Sequence, residues 1–182
     1  MSALAASLPT LVVIAKDESR CIERCLRSAR PFTQRMLVLD TGSSDATPDL
    51  ARACGAEVHF FEWVDDFSAA RNRVLDLSGS DWNLVLDADE WIEAESNFKW
   101  PRQSFGLGLV LMRNIDQSSG MDLLVSSWLP RLLPHGVRYE GRIHEQPACQ
   151  LPRFRSGLTV LHDGYLKGQL HKKAGRNRAL LA

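Results

Sequence analysis

Three carboxylates fall within four positions at Asp87-Ala88-Asp89-Glu90, directly behind the apolar run "WNLVL". Acids this close repel one another, and they are costly to hold beside an apolar layer unless something positive sits among them. Either the cluster stands in water at a loop tip or it gathers a cation. Asp87 and Asp89 flank one small residue, so their carboxylates can share a hard divalent ion, with water and phosphate oxygens completing its shell. Two further polar clusters close earlier apolar runs: "KDE" (Lys16–Glu18) after "TLVVIA", and Asp40 with "TGSSD" after "RMLVL".

The elements that would carry these residues alternate through the first half. Thr10–Ala15, Arg35–Asp40, Ala56–Glu62 and Trp82–Asp87 read as strands, the first a β-branched apolar run suited to a buried position. Between them, Glu18–Arg30 places Ile22, Cys25, Leu26 and Ala29 at helical spacing. The second helix has Thr47 as its expected N-cap, Pro48 at the first helical position and Gly55 past its end. Asp66–Ser78 reads as a third helix. Strand–helix–strand at this cadence predicts a mostly parallel sheet covered by helices on both faces, with ligands collecting at the carboxyl ends of its strands. The second half reads as more antiparallel: Gly106–Asn114 and Met121–Leu133 as strands joined near "DQSSG", His135–Pro147 as irregular, a short strand from Ser156, and a terminal helix from Leu166. One domain over residues 1–182 is expected.

Composition fits a soluble globular chain: 182 residues, 45% hydrophobic and 24% charged. The formal net charge of zero hides an asymmetry. The first 100 residues carry 10 Lys/Arg and 17 Asp/Glu, and the last 82 carry 12 and 5. Two halves that attract in the fold would give this pattern; so would a metal-collecting half facing a phosphate-collecting half. No dense basic run with interleaved aromatics appears, which argues against nucleic acid. The four cysteines form no C-x-x-C pair, so a zinc site is not indicated and a reducing, cytoplasmic compartment fits. The start lacks a basic leader region, and its apolar run is too short to cross a membrane. Neither G-x-G-x-x-G nor G-x-x-x-x-G-K-[ST] occurs, so a diphosphate is not expected to rest on a glycine nest.

Taken in order, "VVIAKDE", "VLDTGSSDAT", "FFEWVDDFSAARN" and "WNLVLDADE" resemble the family 2 glycosyltransferases of GT-A fold. The resemblance is nearest to the bacterial branch that includes lipopolysaccharide-core and peptide glycosyltransferases, and "RYEGRIHE" and "LHDGY" extend it. It implies a Rossmann-like central sheet with a smaller antiparallel C-terminal portion, residues 1–100 binding the nucleotide and 101–182 serving acceptor and catalysis. It also implies a UDP-linked sugar donor, a glycan, lipid-linked or peptide acceptor, Mg²⁺ or Mn²⁺ as cofactor, and a place in the cytoplasm or peripherally at the inner membrane face. Carried over residue by residue, Ala15, Lys16 and Glu18 would line the nucleotide base, Asp40 would meet base or ribose, and Arg71 would lie near base and phosphates. Asp87 and Asp89 would hold the metal, with His162 reaching the metal or the leaving diphosphate. Members of the branch have a longer stretch where "NFKWPRQSF" stands, and many continue past a "RNxxLL" run into helical repeats, where this sequence ends "RNRALLA".

Inverting transfer needs a base for the acceptor's proton. Glu145 in "RIHE", with His144 beside it, is the candidate; a salt-bridged structural glutamate is the other reading of that residue. Asp65 and Asp66 read as acids at a helix N-terminus. Two other functions compete: a nucleotidyltransferase, which "AKDESRC" disfavours because it lacks a glycine-rich basic loop, and a binding module without activity.

Overall fold

The computed structural model describes residues 8–98, 106–115 and 126–162. In chain order the elements are β1 (Thr10–Ala15), α1 (Ile22–Ala29), β2 (Arg35–Asp40), α2 (Thr47–Ala53), β3 (Glu57–Phe60), α3 (Phe67–Ser78), β4 (Trp82–Asp87), β5 (Glu90–Ile92), β6 (Leu107–Asn114), β7 (Ser126–Pro134), β8 (Tyr139–Glu140), β9 (Gln146–Pro147) and β10 (Arg153–His162). The described residues form an eight-stranded sheet ordered β3-β2-β1-β4-β7-β6-β10-β5, with β8 and β9 pairing separately. β1, β2, β3 and β4 run parallel. β7 enters antiparallel between β4 and β6, β10 returns parallel to β6, and β5 closes the edge antiparallel to β10. The turn expected near "DQSSG" and the terminal helix lie outside the described residues.

Alternation along the strands divides the core in two. On one face Leu11, Val13 and Ala15 of β1 and Leu84 and Leu86 of β4 pack with Ile22, Cys25, Leu26 and Ala29 of α1. On the other, Val12, Leu37, Leu39 and Val85 pack with Ala70, Val74 and Leu75 of α3. Each fully buried aliphatic side chain contributes about 1.5–3 kcal/mol. The same period of two decides where the site forms: Leu84 and Leu86 face α1, so Asp87 emerges on the α3 side. Leu132 of β7 lies with the α1 cluster, so Arg131 points to the α3 side as well.

Three details depart from expectation. Thr47 is not the N-cap of α2; Asp45 accepts from its amide and hydroxyl, while the same hydroxyl takes the Glu18 amide. β10 is longer than the short strand read from Ser156 onward, and breaks register between Arg155 and Thr159, where Gly157 adopts φ +80°. β5, which opens on the acid Glu90, pairs with the edge that β10 offers.

Candidate functional site

A cleft of about 360 Å³ opens at the carboxyl ends of the first strands. Ala15, Lys16 and Glu18 reach it from the end of β1, Thr41 from the end of β2 and Arg71 from α3. Asp87 and Asp89 come from the end of β4, and His144 and Glu145 from the β8–β9 loop. Of the residues expected at the site, Asp40 and His162 do not line it.

The acids at the end of β4 are held by buried guanidinium groups. Arg71 donates from Nη2 to Asp87 Oδ1 at 2.5 Å and from Nε to Glu145 Oε1 at 2.6 Å. Arg131 donates to Asp87 Oδ2 at 3.1 Å and to Glu90 Oε1 at 2.6 Å, and the second oxygen of Glu90 accepts the Asp87 amide. Burial alone would raise Asp87, but Arg71 and Arg131 outweigh it and hold the carboxyl far below its ordinary range. Glu90 goes the other way: burial, reinforced by the Asp87 charge, pushes it up to about 7 against the pull of Arg131. The partner of Glu145 is therefore Arg71, not the Arg138 and Arg142 of its own segment. Arg138 pairs with Asp76, and Arg142 meets the Asp65 carbonyl. The charge asymmetry along the chain is resolved in part by such pairs across the halves, Arg113 with Glu93 being another.

The loops after β1 and β2 are clasped by hydrogen bonds. Asp17, at φ +53°, accepts from the amide and hydroxyl of Ser44 and donates its own amide to Ser43 Oγ. Asp45 takes the Ser19 amide. Asp40 is buried, with its oxygens on the Gly42 and Ser43 amides at 3.2–3.3 Å, so it shapes the turn that presents Thr41 to the cleft. Asp66 caps α3 through the Ala69 amide, and Asp65 accepts from Trp63 Nε1.

Beside the cleft, His162 Nε2 stands 3.3 Å from Asp89 Oδ2, and His162 Nδ1 stands 3.0 Å from Asn114 Oδ1. Asn114 Oδ1 is an acceptor, so Nδ1 carries the hydrogen. With Nδ1–H on Asn114, Nε2 presents its lone pair toward the Asp89 carboxylate, an arrangement that suits a proton or a cation. Among the described residues no three His, Cys, Asp or Glu side chains converge as a complete metal cage. An imidazole–carboxylate pair does fit an ion that keeps most of its shell for phosphate oxygen and water. Asp87, expected to share that ion, has both oxygens on guanidinium groups.

Residues 10–97 match the family model described as Glycosyl transferase family 2. The matched stretch runs from β1 through β5 and takes in the strand-end residues of the cleft. Along 93% of its length it is 37% identical to a TPR repeat-containing protein of Synechococcus elongatus and 29% identical to the SPbeta prophage-derived glycosyltransferase SunS of Bacillus subtilis. It covers 45% and 43% of those proteins, so it spans under half the length of the curated relatives it matches. Among solved structures, residues 1–349 of Staphylococcus aureus TarS superpose with a TM-score of 0.51 at 18% identity, over 59% of this chain and 36% of that one, a likeness of fold. The domain has the GT-A architecture. No helix among its described residues is long and apolar enough to cross a membrane.

Sequence reasoning missed four residues in and around the cleft: Arg131, Glu90 as a buried partner, Asn114 and Tyr139. Arg131 had a signal, being a lone arginine in the apolar run "LPRLLP". A charge on a core-facing position announces a buried counter-charge.

Proposed function

We propose that the cleft binds a nucleotide-sugar and that the domain transfers the sugar with inversion to an acceptor hydroxyl. What carries this reading is the meeting of Glu145 and His144, from the second half, with the strand-end residues Lys16, Glu18, Asp87 and Asp89 in one cleft. The nucleoside lies along Ala15, Lys16, Glu18 and Thr41, in a loop that Asp17, Asp40 and Asp45 hold rigid. Asp89 and His162 would hold Mg²⁺ or Mn²⁺, which supplies charge to offset the leaving diphosphate. Arg71 and Arg131 fix Asp87 as a rigid wall of the cleft.

Glu145 is the base. Arg71 occupies Oε1 and orients the carboxylate, and Oε2 has no partner among the described residues. In the transfer, a lone pair of the acceptor oxygen forms the new bond at the anomeric carbon as the bond to the diphosphate breaks. The diphosphate leaves with that electron pair, and Glu145 takes the hydroxyl proton. The acceptor is a glycan, lipid-linked or peptide hydroxyl, and association with the inner membrane face is compatible with the lipid-linked case.

Titrating UDP-sugars with and without Mn²⁺, then following slow hydrolysis of the donor, tests the reading. Metal-enhanced binding that Asp89→Ala abolishes while the fold survives is the expected result. Undiminished binding in that variant would remove the metal from the proposal. Nucleotidyl transfer to a sugar phosphate would replace the reading altogether, and binding without any turnover would leave a binding module.

A further inference from the structure

Two buried side-chain atoms have no hydrogen-bond partner among the described residues: Arg71 Nη1 and the Tyr139 hydroxyl. A buried donor left unpaired costs about 1–3 kcal/mol, and native proteins rarely leave one without water or a ligand to complete it. Here both residues line the same second cavity, of about 190 Å³. Burial raises the phenol's pKa, so Tyr139 stays a donor at neutral pH. The guanidinium of Arg71 lies over the Tyr139 ring at 5.4 Å, and its other two nitrogens are already spent on Glu145 and Asp87.

The cavity's position is informative. Arg71, Asp87, His144 and Glu145 wall both it and the donor cleft. The two spaces therefore meet at Glu145, where a base between donor carbon and acceptor oxygen has to stand.

Charge and surface then narrow the occupant. Both guanidiniums that line the cavity, Arg71 and Arg131, are already matched by carboxylates. An anion would have to displace those pairs and would approach Asp87 and Glu145. An uncharged, hydroxyl-rich group asks only for what is unspent: Arg71 Nη1, the Tyr139 hydroxyl and the Gln146 amide. Leu129, Pro130 and Pro147 supply an apolar wall for the C–H face of a ring. The space, about 190 Å³ and open to solvent on one side, has room for a sugar ring.

We infer that this second cavity is the acceptor subsite and that it takes a neutral sugar ring, so the acceptor is a saccharide. The inference rests on the transferase reading of the neighbouring cleft, and the experiment separates the two. Donor binding is measured first, with UDP-sugars and Mn²⁺. If no donor binds, the reading of the cleft fails before the cavity is addressed. With a bound donor, three probes are offered as acceptors: a panel of methyl hexosides, a serine- and cysteine-containing peptide, and a hexose phosphate. At least one methyl hexoside is expected to be glycosylated. Tyr139→Phe, which deletes only the unpartnered hydroxyl, should raise that acceptor's KM about 5–10-fold, the loss of one neutral hydrogen bond, with kcat within about twofold. Gln146→Ala should move the same constant in the same direction. The midpoint of thermal unfolding should not fall in Tyr139→Phe, because the hydroxyl has no protein partner to lose. The assignment is overturned if the peptide or the hexose phosphate is the substrate used. It is also overturned if a bound donor is hydrolysed but no methyl hexoside accepts sugar, or if Tyr139→Phe leaves the acceptor KM unchanged.

Discussion

At the ends of β1 and β2, Asp17, Asp40 and Asp45 are held by backbone amides and hydroxyls from neighbouring loops. At the end of β4, Asp87 and Glu90 are held by Arg71 and Arg131, and Arg71 also reaches across to Glu145. Both regions are acid-rich edges of the same sheet. The first is a set of separable local bonds, in which each acid relieves donors that a turn would otherwise leave open. The second is an interlocked cluster, since each guanidinium serves two acids and Asp87 serves two guanidiniums. Removing one member there leaves buried charge without a partner, a far larger penalty than losing one loop bond.

Arg71→Met should break the interlocked cluster most severely, costing about 3–5 kcal/mol of stability by urea denaturation. A loss under about 1 kcal/mol would mean the two edges are not different in kind. Glu145→Gln sharpens the contrast in another way. The amide oxygen can still accept from Arg71, so the fold should hold while sugar transfer falls by roughly 10²–10⁴-fold with donor affinity nearly kept. If donor binding collapses with turnover, Glu145 is an anchor of the loop and not a base.

The two edges should also answer pH with opposite signs. Glu90 is raised from 4.5 to about 7, so the folded chain binds more protons than the unfolded one in that window and stability falls as pH rises through it. Glu90→Gln should flatten the slope between pH 4.5 and 7; a slope that survives the change belongs to another group. Asp45 is the counterpart. Burial would raise it, but hydrogen bonds from Thr47 and Ser19 outweigh burial and hold it at about 2. Its contribution is full above the ordinary value of 3.8 and is lost as pH falls toward 2. Asp45→Ala should cost about 1 kcal/mol at neutral pH, the smallest of these effects, with the deficit against wild type shrinking below pH 3.

Much of this was legible in the order of residues. β1, β2 and β4 fall where their apolar runs meet acids, because a buried strand must end where charge begins. The gathering of Lys16, Glu18 and Asp87 followed from parallel topology alone, which puts successive carboxyl ends on one edge. β5 was not legible, since a strand of "EWI" is stabilised by an edge supplied from β10. Nor was the bond between Arg71 and Glu145, 74 positions apart. Charge pattern says that opposite halves attract; it does not say which pair is desolvated together. Thr47 shows the same limit at short range. Its type and place suit a cap, but its hydroxyl donates to Asp45 and accepts the Glu18 amide, so it clasps the neighbouring loop instead of capping α2.

The sheet order has a consequence in time. β1 to β4 can pair as they are synthesised, each beside a strand already made. β5 follows β4 at once, yet its neighbour in the sheet is β10, the last strand described, which must first settle between it and β6. A growing chain therefore displays Asp89 from the moment β4 forms, but it acquires the His162 imidazole only when β10 docks. Among the described strands that pairing comes last, and a nascent chain halted before Arg153 would hold a formed first half of the sheet with His162 not yet brought to Asp89.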